Sequence, residues 1–81
     1  MLKRELIEFI QENLVAADDG ERVREDTPLI EKGIVDSMGL MQIMGFVEER
    51  TGVRIPDDDV RPANFATVES ISELVDRLKQ R

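Results

Sequence analysis

An all-α fold is what this 81-residue chain predicts: a small helical bundle of three main helices, with a short helix before the last and a long first loop. Apolar residues recur at three- and four-residue steps near both ends, the spacing of helices with one buried face. Glycine and proline fall between the periodic stretches, where chain reversals belong. No internal repeat or low-complexity tract competes with this reading.

The first helix is expected from Leu2 to Val15, with Leu2, Leu6, Phe9, Ile10 and Leu14 as its apolar stripe. Ala17-Asp18-Asp19-Gly20 ends it, since glycine accepts the left-handed backbone of a helix terminus. A long irregular connection follows, from Ala17 to Asp36. Such loops are uncommon unless pinned, and Val23, Leu29, Ile30, Ile34 and Val35 are the residues able to pin it. Within it, Thr27-Pro28-Leu29-Ile30-Glu31 reads as one helical turn, capped by Thr27 and ended by Gly33.

The second helix is expected to start at Asp36 or Ser37 and stop near Thr51-Gly52. Projection at about 100° per residue puts Leu40, Met41, Ile43, Met44 and Val47 on a core-facing arc. The other arc carries Met38, Gly39, Gln42, Gly45, Phe46, Glu49 and Arg50. Phe46 either marks a contact site there or packs under the first loop. The methionines 38, 41 and 44 read as core material, adaptable enough to part for an apolar chain. Gly39 and Gly45 each cost the helix up to ~1 kcal/mol relative to alanine. Either they let something approach the backbone closely, or Gly45 packs on the loop and Gly39 sits in a loose first turn.

Val53-Arg54-Ile55-Pro56 is extended, because the residue before proline avoids helix. Asp57-Asp58-Asp59 is either the acidic start of a short helical turn or a solvated turn. It lacks the alternating acids, central glycine and terminal glutamate of a calcium loop. Phe65 anchors the incoming loop. The last helix is expected from Thr67 to about Leu78, with Val68, Ile71, Leu74, Val75 and Leu78 inward and Lys79 and Arg81 at its negative end. Leu6, Ile10, Leu40, Met44, Val47, Ile71, Leu74 and Leu78 should be buried together.

Composition narrows function. Residues 1–81 make one small domain, burying only about 60% of its unfolded surface. The chain has no cysteine and no histidine. It therefore lacks disulfides, thiolate metal ligands and the usual neutral-pH acid–base group. No catalytic constellation remains, and the chain reads as a non-enzyme with no metal site. A net charge of −7 disfavours nucleic acid and anionic membranes and favours basic protein patches. The mixed-charge start Met1-Leu2-Lys3-Arg4-Glu5 leads to no apolar run, so neither a leader nor a membrane span is expected, and the cytoplasm is the default location.

The most informative stretch is Gly33-Ile34-Val35-Asp36-Ser37-Met38-Gly39-Leu40. On physical grounds, Asp36 or Ser37 is an N-cap, since either side chain accepts a hydrogen bond from the first turn. The stretch also resembles the G-x-x-D-S-[LM] attachment motif of acyl carrier proteins and peptidyl carrier domains. Asp26-Thr27-Pro28-Leu29, Glu48-Glu49-Arg50-Thr51-Gly52 and Ile55-Pro56 stand in register with it, so the resemblance covers nearly the whole chain.

The resemblance implies that Ser37 is esterified with 4′-phosphopantetheine, delivered from coenzyme A by a phosphopantetheinyl transferase. The arm's thiol would hold an acyl or aminoacyl cargo as a thioester, loaded by an activating ligase and used by downstream acyltransferases or synthases. Asp36 would help present the serine. Met38, Gly39, Gln42, Phe46, Glu48 and Glu49 would form the partner-binding surface of a monomer. Carriers of general fatty-acid synthesis usually present acids where Gly39 and Gln42 stand. The Asp-Ser-Met-Gly-x-x-Gln pattern is similar to D-alanyl and other specialised carriers. The alternative function is an unmodified, carrier-like acidic adaptor that binds a basic partner.

Overall fold

A computed structural model describes residues 2–16 and 20–80. Ala17 to Asp19 and Arg81, on which two of the expectations above rest, lie outside the described residues. The all-α expectation is borne out: the described residues form helices and short 3₁₀ turns, with no strand among them. Helix α1 spans Leu2–Asn13, α2 Ser37–Thr51 and α3 Val68–Lys79. Between α2 and α3 lie two 3₁₀ turns, Asp57–Asp59 and Pro62–Phe65, where a single short helix was expected.

Helices α1 and α3 bury the faces that their periodicity marks. Leu6 and Ile10 of α1 meet Val68, Ile71, Leu74 and Val75 of α3, with Phe65 among them. Leu40, Met44 and Leu78 are half-buried at the edge of this cluster rather than inside it. Helix α3 starts on a reciprocal cap. Thr67 Oγ1 accepts from the Ser70 N–H at 3.0 Å, and Ser70 Oγ accepts from the Thr67 N–H at 3.1 Å.

The long first loop is held by apolar anchors and by specific hydrogen bonds. Val23, Leu29 and Val35 are buried as expected, and Ile34 is half-buried. Ile30, expected as a further anchor, is 38% exposed, because the turn that buries Leu29 carries its neighbour outward. The Gln11 amide of α1 serves two loop groups. Its Nε2 donates to the Glu21 carbonyl at 2.8 Å, and its Oε1 accepts from the Val23 N–H at 2.8 Å. Nearer α3, the Leu29 N–H donates to the Ala66 carbonyl, and the Glu69 N–H to the Glu25 carbonyl. Glu25 also pairs with Lys3 at 3.2 Å, and that hydrogen bond holds the Lys3 ammonium above the ordinary lysine pKa.

Thr27 does not cap the turn that follows it. Its Oγ1 accepts from the Arg24 N–H at 2.8 Å, closing the turn before. The turn beginning at Pro28 is nevertheless formed, with Lys32 N–H to the Pro28 carbonyl, and Gly33 ends it at φ 75°. The Leu29 carbonyl then accepts from both the Ile34 and Val35 N–H groups. A fully buried residue thus fixes the chain directly before Asp36.

Candidate functional site at the head of the second helix

Asp36 and Ser37 were equal candidates for capping α2, and the backbone separates them. Asp36 is extended, at φ −108° and ψ −167°, and its Oδ1 accepts from the Gly39 N–H at 2.8 Å. Its carbonyl accepts from the Leu40 N–H at 2.8 Å. Asp36 is therefore the cap, and Ser37 is the first helical residue. Asp36→Ala should destabilise the fold by about 0.5–2 kcal/mol, whereas Asp36→Asn keeps the acceptor and should cost far less. Urea denaturation of both variants checks this. Similar losses for the two would deny Asp36 the capping role.

Freed from capping, Ser37 is exposed, and its hydroxyl has no hydrogen-bond partner among the described residues. It stands at the positive end of a 15-residue helix. A negatively charged phosphodiester is favoured there by the helix dipole. The Asp36 carboxylate beside it is held as the helix cap by its bond from the Gly39 N–H. The residues present thus fit a phosphopantetheine ester on Ser37. Among the described residues no side chain is placed to activate the hydroxyl: the chain has no histidine, and the adjacent acid is a cap. A reaction at this hydroxyl would need its general base from outside the described residues.

The residues expected to form a partner surface separate into two sets. Met38 and Met41, 71% and 72% exposed, stand out from α2 with Gln42, Gly45 and Glu49. Met41 was expected in the core. The helical projection puts it about 140° from the direction that Ile43 and Val47 take inward.

The second set is engaged inside the molecule. Gly39 is buried, and a Cβ there would meet Asp36 Oδ1 at 3.4 Å and the Leu14 methyls at 3.6 Å. Glu48 is half-buried, and its Oε2 accepts from the Ile55 N–H at 2.9 Å, tying the segment after α2 to the helix. Phe46 packs neither under the first loop nor freely in solvent. Its ring stacks on Phe9 of α1 at 4.4 Å between centroids, with the Arg50 guanidinium 5.2 Å above it. Arg50 is held in turn by Glu5 at 2.9 Å. The pairings of Phe46 with Phe9 and of Arg50 with Glu5 had no sequence signal, because each joins segments tens of residues apart.

Among the described residues, no group of acids is arranged to hold a metal ion, and no helix is long and apolar enough to cross a membrane.

The family model described as "phosphopantetheine attachment site" matches residues 4–78. The chain is 40% identical to the "probable acyl carrier protein PigG" of Serratia sp. (strain ATCC 39006), over 98% of this chain and 90% of that protein. It is 32% identical to the "D-alanyl carrier protein" of Streptococcus sanguinis (strain SK36), over 96% of this chain and 95% of that one. Among solved structures, a chain of one titled "Crystal structure of FAD-dependent dehydrogenase" superposes with a TM-score of 0.75 at 34% identity. The match covers 89% of this chain and all of that one.

Proposed function

The chain belongs to the phosphopantetheine-attachment family of carrier proteins, and on that premise we propose that Ser37 is the residue that takes the cofactor. The observation that carries the assignment is an exposed, unpartnered serine hydroxyl at the positive end of α2, beside a carboxylate that caps the helix. Ser37 Oγ attacks the phosphorus of coenzyme A that bears the pantetheine. A P–O bond to Ser37 forms, the bond to the nucleotide breaks, and adenosine 3′,5′-bisphosphate leaves. The transferase accepts the serine proton. Once attached, the arm supplies a terminal thiol, which this cysteine-free chain lacks, and holds cargo as a thioester.

This family is typically non-catalytic, and here the chain's contribution is positional. Helix α2 fixes one end of a flexible tether, which raises the cargo's effective concentration at successive enzyme sites. The exposed Met38, Met41, Gln42 and Glu49 give those enzymes an apolar contact with a polar and acidic rim. An 81-residue monomeric domain acting in the cytoplasm completes the reading. No observation favours the unmodified adaptor. Incubation with coenzyme A and a broad-specificity transferase, followed by intact mass, should show one pantetheine adduct. An unmodified protein beside a modified control carrier would overturn the assignment.

The cargo is an amino acid or a dedicated acyl group, loaded by its own activating ligase. The names of the two relatives support both classes. The exposed face of α2 adds the physical argument, because Gln42 offers no charge to the basic patches of general fatty-acid enzymes. The pantetheinylated protein should therefore be a poor substrate for general elongation enzymes. Gln42→Glu should raise its association with them at low salt and less so at high salt. Gly39 is unsuited to this test, since it is buried beside Leu14 and Asp36 and a charge there would not face a partner. Elongation rates equal to those of a housekeeping carrier at both salts would refute the specialised cargo and leave the carrier role intact.

A further inference from the structure

Helix α2 is held to the rest of the molecule differently from its two neighbours. Its fully buried side chains are Ile43 and Val47. Helix α3 buries Val68, Ile71, Leu74 and Val75, and backbone bonds from Glu69 and from Ala66 just before it reach the first loop. Helix α1 buries Leu6 and Ile10, and Gln11 and Lys3 bond it to the same loop. Helices α1 and α3 and the first loop are thus cross-linked into one body. Among the described residues, the one polar link from α2 to another helix is Arg50 to Glu5.

The rest of its attachment to α1 is a row of side chains along the seam between the two helices, which run antiparallel there. Leu14, just past the end of α1, lies beside Gly39, Phe9 stacks on Phe46 at 4.4 Å, and Glu5 bonds Arg50 at 2.9 Å. The Arg50 guanidinium also lies over the Phe46 ring at 5.2 Å, so Phe9, Phe46, Arg50 and Glu5 form one continuous chain of contacts. A cleft of about 360 Å³, lined also by Glu8, Glu12 and Asn13, opens beside them. Water therefore reaches the row, and the side chains of Arg50 and Glu5 are 53% and 36% exposed. Single aromatic stacks and solvated ion pairs each contribute little. A row of such contacts holds while it is intact and opens readily.

We propose that Phe9, Phe46, Arg50 and Glu5 form a latch, and that when it breaks α2 opens by itself, leaving α1, the first loop and α3 folded. The physical ground is what each opening exposes. Parting α2 from the body uncovers Ile43 and Val47 with the half-buried Leu40, Met44 and Phe46. Parting α3 uncovers its four buried residues and Phe65, and breaks the backbone bonds of Ala66 and Glu69 to the first loop. Regions with fewer buried apolar contacts open first. Ser37 is the first residue of α2, so the latch sets how firmly the serine is held in place. This attachment of α2 goes beyond the carrier reading and holds whether or not Ser37 bears a group.

Native-state amide hydrogen exchange tests this on wild type, Phe46→Leu, Arg50→Gln and Thr67→Ala, under conditions where the opening equilibrium controls exchange. In the wild type, the amides of Ile43 and Val47 should be less protected than those of Leu74 and Val75 by on the order of tenfold. Phe46→Leu removes contacts present only in the closed protein, so it should speed both sets by about fivefold. Arg50→Gln should do the same to a smaller extent. Thr67→Ala removes a cap of α3 that survives the opening of α2. It should speed Leu74 and Val75 by about fivefold and leave Ile43 and Val47 within about twofold. Equal protection of the two sets in the wild type, or equal speeding of both by Thr67→Ala, would mean that the helices open together, and the proposal fails. If Phe46→Leu speeds only the α3 set, or neither, these side chains are not what α2 breaks when it opens, and the proposal fails equally.

Discussion

Phe65→Ala is expected to remove about 3–5 kcal/mol of stability. At roughly 0.05–0.15 kcal/mol per residue, the whole fold of 81 residues has only about 4–12 kcal/mol. The change could therefore leave the protein largely unfolded at working temperature. Phe65 is the largest of the fully buried side chains and closes the 3₁₀ turn Pro62–Phe65 against α3. Its neighbours are held by backbone hydrogen bonds that resist collapse into a cavity. Leu29 donates to the carbonyl of the next residue, Ala66, and Thr67 and Ser70 lock the head of α3. Leu78→Ala removes a half-buried side chain at the edge of the core and should cost much less. Urea denaturation with linear extrapolation measures both. Equal losses would mean that the core is not centred where the buried residues place it.

That contrast shows where the sequence was legible. Helices α1 and α3 each have one apolar stripe at helical spacing, so Leu6, Ile10, Ile71 and Leu74 were identifiable as core, and all are buried. Helix α2 is apolar on most of its circumference, so the edges of its inward arc were undefined. Met41 was placed inside for that reason and lies outside. Element ends depend on local geometry more than on composition. Asp36 and Ser37 are adjacent and chemically equivalent as caps, and only the extended backbone of Asp36 distinguishes them. The apolar pins of the first loop were legible, but its polar one was not, because Gln11 looked like any solvent-facing residue of α1 until its amide met Glu21 and Val23.

The site was legible to a different depth. The motif marked Ser37 without saying how it is presented. The structure supplies that: Leu29 fixes the approach, Asp36 caps the helix, and the serine is left outside with its hydroxyl unspent. The partner surface was only half visible. A list by residue type put Gly39, Phe46 and Glu48 beside Met38, Gln42 and Glu49. Burial shows that the first three are used within the fold, by Leu14, Phe9 and Ile55 respectively.

Ser37→Ala is expected to abolish pantetheinylation completely while leaving the fold almost unchanged. The two effects separate because the serine hydroxyl has no structural role here. Asp36, not Ser37, accepts from the Gly39 N–H, and the Ser37 side chain is exposed. Surface substitutions of that kind shift stability by no more than about 0.5 kcal/mol, and alanine is the better helix former. Intact mass after incubation with coenzyme A and a broad-specificity transferase should show one adduct in the wild type and none in Ser37→Ala, with closely similar urea midpoints. Ser70→Ala is the informative control. Ser70 is half-buried in the reciprocal cap of α3, so its loss should lower stability and leave the adduct in place. An adduct that survives Ser37→Ala would move the attachment to another hydroxyl. A large stability loss in Ser37→Ala would mean that the serine, rather than Asp36, anchors the head of α2.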